Sequence, residues 1–180
     1  MKAIVGTEYG SPDVLQVQEV ATPTPQDGEV LVKVHAVSVN AADLHLLSGK
    51  PFLMRLMGYG LLKPKNTILG AAIAGRVEAV GGGVKQFQPG DEVFGDLSGS
   101  GWGGFAEYVC ASPHALVLKP SGLSFEQPAA VPVAAVTALQ GRRDIGKIQT
   151  GHEVPIKGPP GGCWPCPWKG ARGVGPWGLG

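Results

Sequence analysis

Val30-Leu31-Val32-Lys33-Val34-His35-Ala36-Val37-Ser38-Val39 runs directly into Asn40-Ala41-Ala42-Asp43-Leu44-His45-Leu46-Leu47-Ser48-Gly49. In the first stretch Val32, Val34, Ala36 and Ser38 fall on one face of a strand, with Lys33 and His35 on the other. That period of two marks a half-exposed sheet. The second stretch has the punctuation of a short helix over Asn40 to Ser48. Asn40 is a good N-cap, Asp43 favours the positive end of the helix dipole, and Gly49 suits a left-handed C-cap.

Outward from this junction the sequence keeps alternating short strands with turn residues. Lys2 to Thr7 is a first strand, and Ser11-Pro12-Asp13 turns the chain into Val14 to Val20. Ala72 to Val80 places Ile73, Gly75, Val77 and Ala79 opposite Arg76 and Glu78. Gly81-Gly82-Gly83 and Pro89-Gly90-Asp91 frame the next hairpin, into Glu92 to Gly95. Phe105 to Ala111 and Ala115 to Lys119 follow. The fold class predicted is mainly β with short helices, a small closed or partly open barrel. A second helix, Ser124 to about Gly141, opens with Ser124 and Gln127 in capping-box spacing; Pro128 lies in its first turn, and Pro132 should bend it.

The chain of 180 residues, with 43% apolar residues and a net charge of +1, is long enough for one core and part of another. Its near-neutral balance gives no reason to expect nucleic acid or an anionic membrane as partner. The longest apolar run, Ala129 to Leu139, contains Pro132 and is far short of a membrane span. Met1 to Glu8 lacks a secretory apolar stretch, so a cytoplasmic location is expected. Cys110, Cys163 and Cys166 do not form a disulfide framework. Cys110, inside Tyr108-Val109-Cys110-Ala111, is expected to be a buried small hydrophobe. Cys163-Trp164-Pro165-Cys166 has CxxC spacing but neither a helix N-terminus nor four zinc ligands around it, and is read as accidental.

From His152 the sequence reads His152-Glu153-Val154-Pro155-Ile156-Lys157-Gly158, a strand leading to Pro159-Pro160-Gly161-Gly162-Cys163-Trp164-Pro165. From Pro155 to Gly180, 14 of 26 residues are Gly or Pro, which forbids a continuing helix. The predicted organisation is residues 1–123 as a barrel, 124–158 as a helix and first strand of an incomplete second domain, and 159–180 as an irregular tail. Either the tail is a reading-frame slip, or it is a natural segment binding through its aromatics and prolines.

Five phrases, in this order, resemble the medium-chain dehydrogenase/reductase superfamily and its quinone-oxidoreductase (zeta-crystallin-like) branch. They are Val37-Ser38-Val39-Asn40-Ala41-Ala42-Asp43, Gly75-Arg76-Val77-Glu78-Ala79-Val80-Gly81, Gly90-Asp91-Glu92-Val93-Phe94-Gly95, Gly103-Gly104-Phe105-Ala106-Glu107-Tyr108-Val109 and Ala130-Val131-Pro132-Val133-Ala134-Ala135-Val136-Thr137-Ala138-Leu139. The resemblance implies a GroES-like barrel followed by a Rossmann domain, here incomplete, with NADPH or NADH in the cleft between them. It implies reduction of a small-molecule quinone or α,β-unsaturated carbonyl by hydride transfer, and a homodimer in full-length forms; with the cofactor half incomplete, this 180-residue chain is expected to be inactive.

By the same resemblance Asn40 and Asp43 lie at the nicotinamide end of the cleft, where Asn40 donates to a ribose hydroxyl or a substrate carbonyl. The capping role of both residues stands beside that reading. His45 occupies a position where relatives often carry tyrosine and is a candidate proton donor, or a surface histidine. Thr137 matches a threonine near the nicotinamide, or else its hydroxyl bonds back to the preceding helical turn. Gly158, Gly161 and Gly162 survive from the glycine-rich phosphate turn, while its last glycine is Trp164, which blocks close helix approach.

Zinc-dependent members of the superfamily carry cysteine where Asn40 stands and a His-Glu pair at Ala71-Ala72. An amide and two methyl groups do not ligate zinc, so no metal site is expected. The segment between Lys50 and Arg76, with Phe52, Leu53, Met54, Leu56, Met57, Tyr59, Leu61 and Leu62 among basic residues, would flank the substrate cleft; the simpler account is an amphipathic surface flap. Two further readings differ in function: a non-catalytic GroES-like barrel, and an alcohol dehydrogenase relative that has lost its metal ligands.

Overall fold

The computed structural model describes residues 1–52 and 55–149. Among the described residues seven strands form two antiparallel sheets. β1 (Lys2–Gly6) and β2 (Leu15–Glu19) make a hairpin. β3 (Val30–Ser38), β4 (Ala72–Val80), β5 (Glu92–Asp96), β6 (Tyr108–Ala111) and β7 (Leu116–Leu118) make a five-stranded sheet in the order β6-β3-β4-β5-β7. The hairpin joins the larger sheet next to β6 through an Ala3–Ala106 bridge. There the Ile4 N–H reaches the Phe105 carbonyl at 2.8 Å and the Glu107 N–H reaches Lys2 at 3.1 Å. This architecture is the mainly β, partly open barrel expected from the spacing of strands and turns.

Alternating apolar residues fill the barrel. Val30, Val32, Ile73, Val77, Val93, Leu97, Val109 and Leu116 pack into one cluster, and most are fully buried. Gly75 sits among them because β3 and β4 are in close contact at that point, and a Cβ there would meet the Lys33 carbonyl oxygen. Removing this apolar surface from water is the main favourable term for a barrel of this size.

The expected alternation in β3 holds only as far as Val34. The β3–β4 register steps from Val34↔Gly75 to Ala36↔Ala74, so His35 is an extra residue in the ladder. Beyond that bulge the phase flips, and Val37 packs against the core with Val34. A second step, between Leu31↔Ala79 and Val32↔Val77, leaves Glu78 extra in β4. It likewise brings Val80 against the core in place of the expected Ala79. An inserted residue bends the strand and changes which face follows it.

The helix expected over 124–141 is two helices. α1 (Ala41–Ser48) precedes them, and α2 (Glu126–Ala129) and α3 (Ala134–Gln140) flank Pro132. Pro132 lacks an N–H and crowds the carbonyl four residues back, and it biases Val131 away from helix. The chain crosses the break on shorter bonds, Ala130 N–H to Gln127 and Val131 N–H to Pro128, then resumes with Ala135 N–H to Val131 at 2.9 Å. Half of the expected capping box is present: the Ser124 N–H reaches Gln127 Oε1 at 3.2 Å, but the helix starts at Glu126 with Phe125 at the N-cap and no side-chain cap bond. Strand β2 starts one residue later than expected, after a tight helical turn at Pro12–Val14. Cys110 is half-buried rather than buried, and its surroundings push the thiol pKa up, chiefly by burial. No helix among the described residues is long and apolar enough to cross a membrane. The strand expected from His152 and the tail beyond lie outside the described residues.

Candidate functional site

The end of β3 delivers Asn40 to the start of α1 in extended conformation, φ −121° and ψ 163°. The Asp43 carboxylate folds back beneath it. Oδ2 accepts the Asn40 N–H at 2.7 Å, and Oδ1 accepts the Gly70 N–H at 3.0 Å. The Asp43 N–H in turn reaches the Asn40 carbonyl at 3.0 Å. Among the described residues Asn40 and Asp43 are the buried polar ones, 6% and 3% exposed. Burial outweighs the amide donors and the carboxyl pKa is raised, with Asp96 adding a smaller repulsion.

Asn40 itself donates from Nδ2 to the Ser38 carbonyl and to Ser38 Oγ, both at 3.1 Å. The carbonyl fixes the amide's orientation, while the hydroxyl is a rotatable partner. Ser38 and Gly70 escaped the sequence reading. Spacing of three residues announces Asn40 and Asp43, but nothing in the sequence announces a donor 27 positions away.

Gly70 is also the junction between this corner and the next loop. Its φ is +93°, which favours glycine, and its carbonyl accepts the Gly104 N–H at 2.9 Å. A Cβ on Gly104 would lie 2.6 Å from Ile73 Cγ2. Behind the pair, Leu46, Leu47, Leu69, Ala71 and Trp102 form a second apolar cluster that takes in Val133 from the segment before α3. Asn40 thus rests on a corner packed from four segments.

Other sequence candidates lie elsewhere. His45 is exposed on α1, about 200° around the helix axis from Asp43. Thr137 is exposed on α3, its N–H bonded to Val133 at 3.2 Å. Gly158, Gly161 and Gly162 lie outside the described residues. Among the described residues no group of three or more His, Cys, Asp or Glu could hold a metal ion. The donor set around Asn40 is an amide and a hydroxyl, with the one carboxylate engaged by backbone amides. Such neutral donors and acceptors suit ribose hydroxyls or a carbonyl, and so fit a nicotinamide nucleotide.

A side-chain network missed by the sequence reading fastens the segment leading into α2 to the sheet. Lys119 Nζ, its side chain 4% exposed, pairs with Glu92 Oε2 at 3.0 Å and donates to the Leu123 carbonyl at 2.6 Å. Arg76 Nη2 reaches the other Glu92 oxygen at 2.9 Å. These two cations hold the Glu92 carboxyl below the ordinary glutamate range. The bulged His35 stacks on Phe125, ring centroids 4.4 Å apart.

The sequence family described as the alcohol dehydrogenase GroES-like domain matches residues 26–121. Quinone oxidoreductase of Pongo abelii is 35% identical over 163 residues, covering 90% of this chain and 46% of the relative. The 2-methylene-furan-3-one reductase of Solanum lycopersicum is 35% identical over 169 residues, covering 90% of this chain and 42% of that protein. In structure, the Escherichia coli quinone oxidoreductase complexed with NADPH aligns at a TM-score of 0.70 and 27% identity, covering 83% of this chain and 42% of the other. The chain therefore spans less than half the length of these relatives. With the barrel, the Asn40–Asp43 corner and these matches in place, the chain belongs to the alcohol dehydrogenase GroES-like domain family, in the quinone oxidoreductase branch of the medium-chain dehydrogenase/reductase superfamily.

Proposed function

We propose that this chain carries the substrate side of an NAD(P)H-dependent oxidoreductase that reduces quinones or α,β-unsaturated carbonyls. The observation that carries the reading is the Asn40 amide, held at the strand-to-helix junction by Asp43 and Ser38. A carbonyl accepting hydride at a conjugated carbon develops negative charge on oxygen. A fixed N–H aimed at that oxygen stabilises the charge without reorganising. Asn40 supplies such a donor once Ser38 Oγ releases it. When bound, the dinucleotide supplies the hydride, and Asn40 and Thr137 are the residues of this chain proposed to meet its nicotinamide riboside.

Asp43 is the positioning residue. Both its oxygens are occupied by backbone amides, so its task is to fix the peptide of Asn40, not to move a proton. His45 remains a candidate proton donor through solvent, from its exposed place on α1. Similarity to a quinone oxidoreductase and to a 2-methylene-furan-3-one reductase supports the substrate class, and similarity to a protein complexed with NADPH supports the cofactor.

The test is titration of the purified chain into NADPH, following nicotinamide fluorescence, then NADPH oxidation with 1,4-benzoquinone. Saturable binding and turnover support the reading. Absence of binding at millimolar NADPH overturns it and leaves a barrel with no catalytic role.

A further inference from the structure

We propose that Arg55 is a positioning residue that clasps an apolar lobe beside α1 and thereby sets the site's preference for quinones or enones with an extended apolar body. The proposal rests on the assignment of Asn40 as the substrate-side donor.

Arg55 opens a wide helical turn, Arg55–Tyr59, that follows α1. Its guanidinium lies over the Tyr9 ring at 4.1 Å and near Phe52 at 5.7 Å. Nε donates to the Gly49 carbonyl at 3.0 Å and Nη2 reaches Ser48 at 3.5 Å. Among the described residues no carboxylate pairs with it. The cation is satisfied by two aromatic faces and by the carbonyl end of α1, where positive charge is favoured.

Position 49 is shaped for this contact. Gly49 has φ +62°, and a Cβ there would lie 2.5 Å from Arg55 Nε and 2.7 Å from Tyr9 Cδ1. Tyr9 completes the clasp through its hydroxyl, whose one proton goes to the Gly60 carbonyl at 2.6 Å with the Tyr59 carbonyl 3.0 Å away. Three pieces of chain, the β1–β2 connection, the end of α1 and the turn 55–60, are thus locked through two side chains.

Exposed apolar side chains stand on the segments that the clasp joins. Phe52 and Leu56 are 58% and 62% exposed, and Leu44, one helical turn beyond Asn40, is 54% exposed. α1 has eight residues, so the lobe is held about 12 Å from Asn40 along its axis. A carbonyl at Asn40 leaves the rest of an apolar substrate to run past Leu44 toward Phe52 and Leu56. A single-ring quinone ends before that wall.

The experiment compares KM and kcat of wild type, Arg55→Met and Arg55→Lys for NADPH-dependent reduction of 1,4-benzoquinone and of a decyl-substituted benzoquinone. Arg55→Met should raise KM for the decyl quinone roughly tenfold, leave kcat within about twofold, and leave the benzoquinone KM unchanged, as for lost uniform binding. Arg55→Lys, which keeps the charge but not the planar fork, should recover part of the loss. Equal effects on both quinones, or a fall in kcat alone, would overturn the proposal. If wild type oxidises no NADPH, the proposed function fails and the substrate preference fails with it. The clasp itself is then judged by trypsin: cleavage after Lys65 should be about tenfold faster in Arg55→Met, and unchanged cleavage rejects it.

Discussion

Asp43 Oδ1 accepts the backbone N–H of Gly70 at 3.0 Å, tying the first turn of α1 to the loop that enters β4. The same carboxylate holds the Asn40 N–H through Oδ2. Asp43→Ala leaves both buried amides without an acceptor, at a cost of about 2–4 kcal/mol in unfolding free energy. Denaturant unfolding of the two proteins measures it. A loss under ~0.5 kcal/mol would mean that water replaces the carboxylate.

Asn40→Ala removes a cap and the proposed donor together, so two variants separate the roles. Alanine should cost about 1 kcal/mol of stability and lower quinone turnover about a hundredfold. Asn40→Ser keeps a good capping side chain but has no amide N–H and is too short to reach the substrate. It should retain most of the stability and lose the turnover. Retained turnover in Asn40→Ser would remove Asn40 from the chemistry.

The Glu92 carboxyl is held low, first by Lys119 and then by Arg76. A depressed acid stabilises the fold above its ordinary range, and that increment is lost as pH falls through the folded-state pKa. Wild type should therefore lose stability on acidification from about pH 5 downward more steeply than Glu92→Gln. Parallel melting-temperature profiles of the two proteins would contradict this.

Gly75 lies where β4 meets the Lys33 carbonyl. Gly75→Ala must push the two strands apart and should cost about 3 kcal/mol. Thermal unfolding by circular dichroism reads it directly, and an unchanged midpoint would show that the β3–β4 spacing is adjustable.

Much of this architecture was legible locally. The alternation through Val30–Val34 and Ile73–Val77 located the central strands, and the Asn40–Asp43 and Ser124–Gln127 spacings located two helix starts. What escaped has a common origin. The bulges at His35 and Glu78 add a residue with no compositional mark, because the step exists only in the pairing with a neighbouring strand. Pro132 foretold a bend but not a full interruption, since the break also depends on Ala129 and Ala134 being buried on either side of it. Arg55 read as one basic residue of a surface flap. The absence of any acid between Lys50 and Arg76 was the one sign that its charge is met by other means. Ser38, Gly70 and Tyr9 enter the site through contacts that no local pattern encodes.

The bulge at His35 makes the strand tolerant of one particular shortening. Deleting that residue would leave Val34 opposite Gly75 and Ala36 opposite Ala74, an unbroken ladder in which Val37 still turns inward. What the shortened strand would give up is the imidazole stacked on Phe125. The surplus residue therefore serves the grip on the segment before α2, and the facing of everything after it would survive its removal.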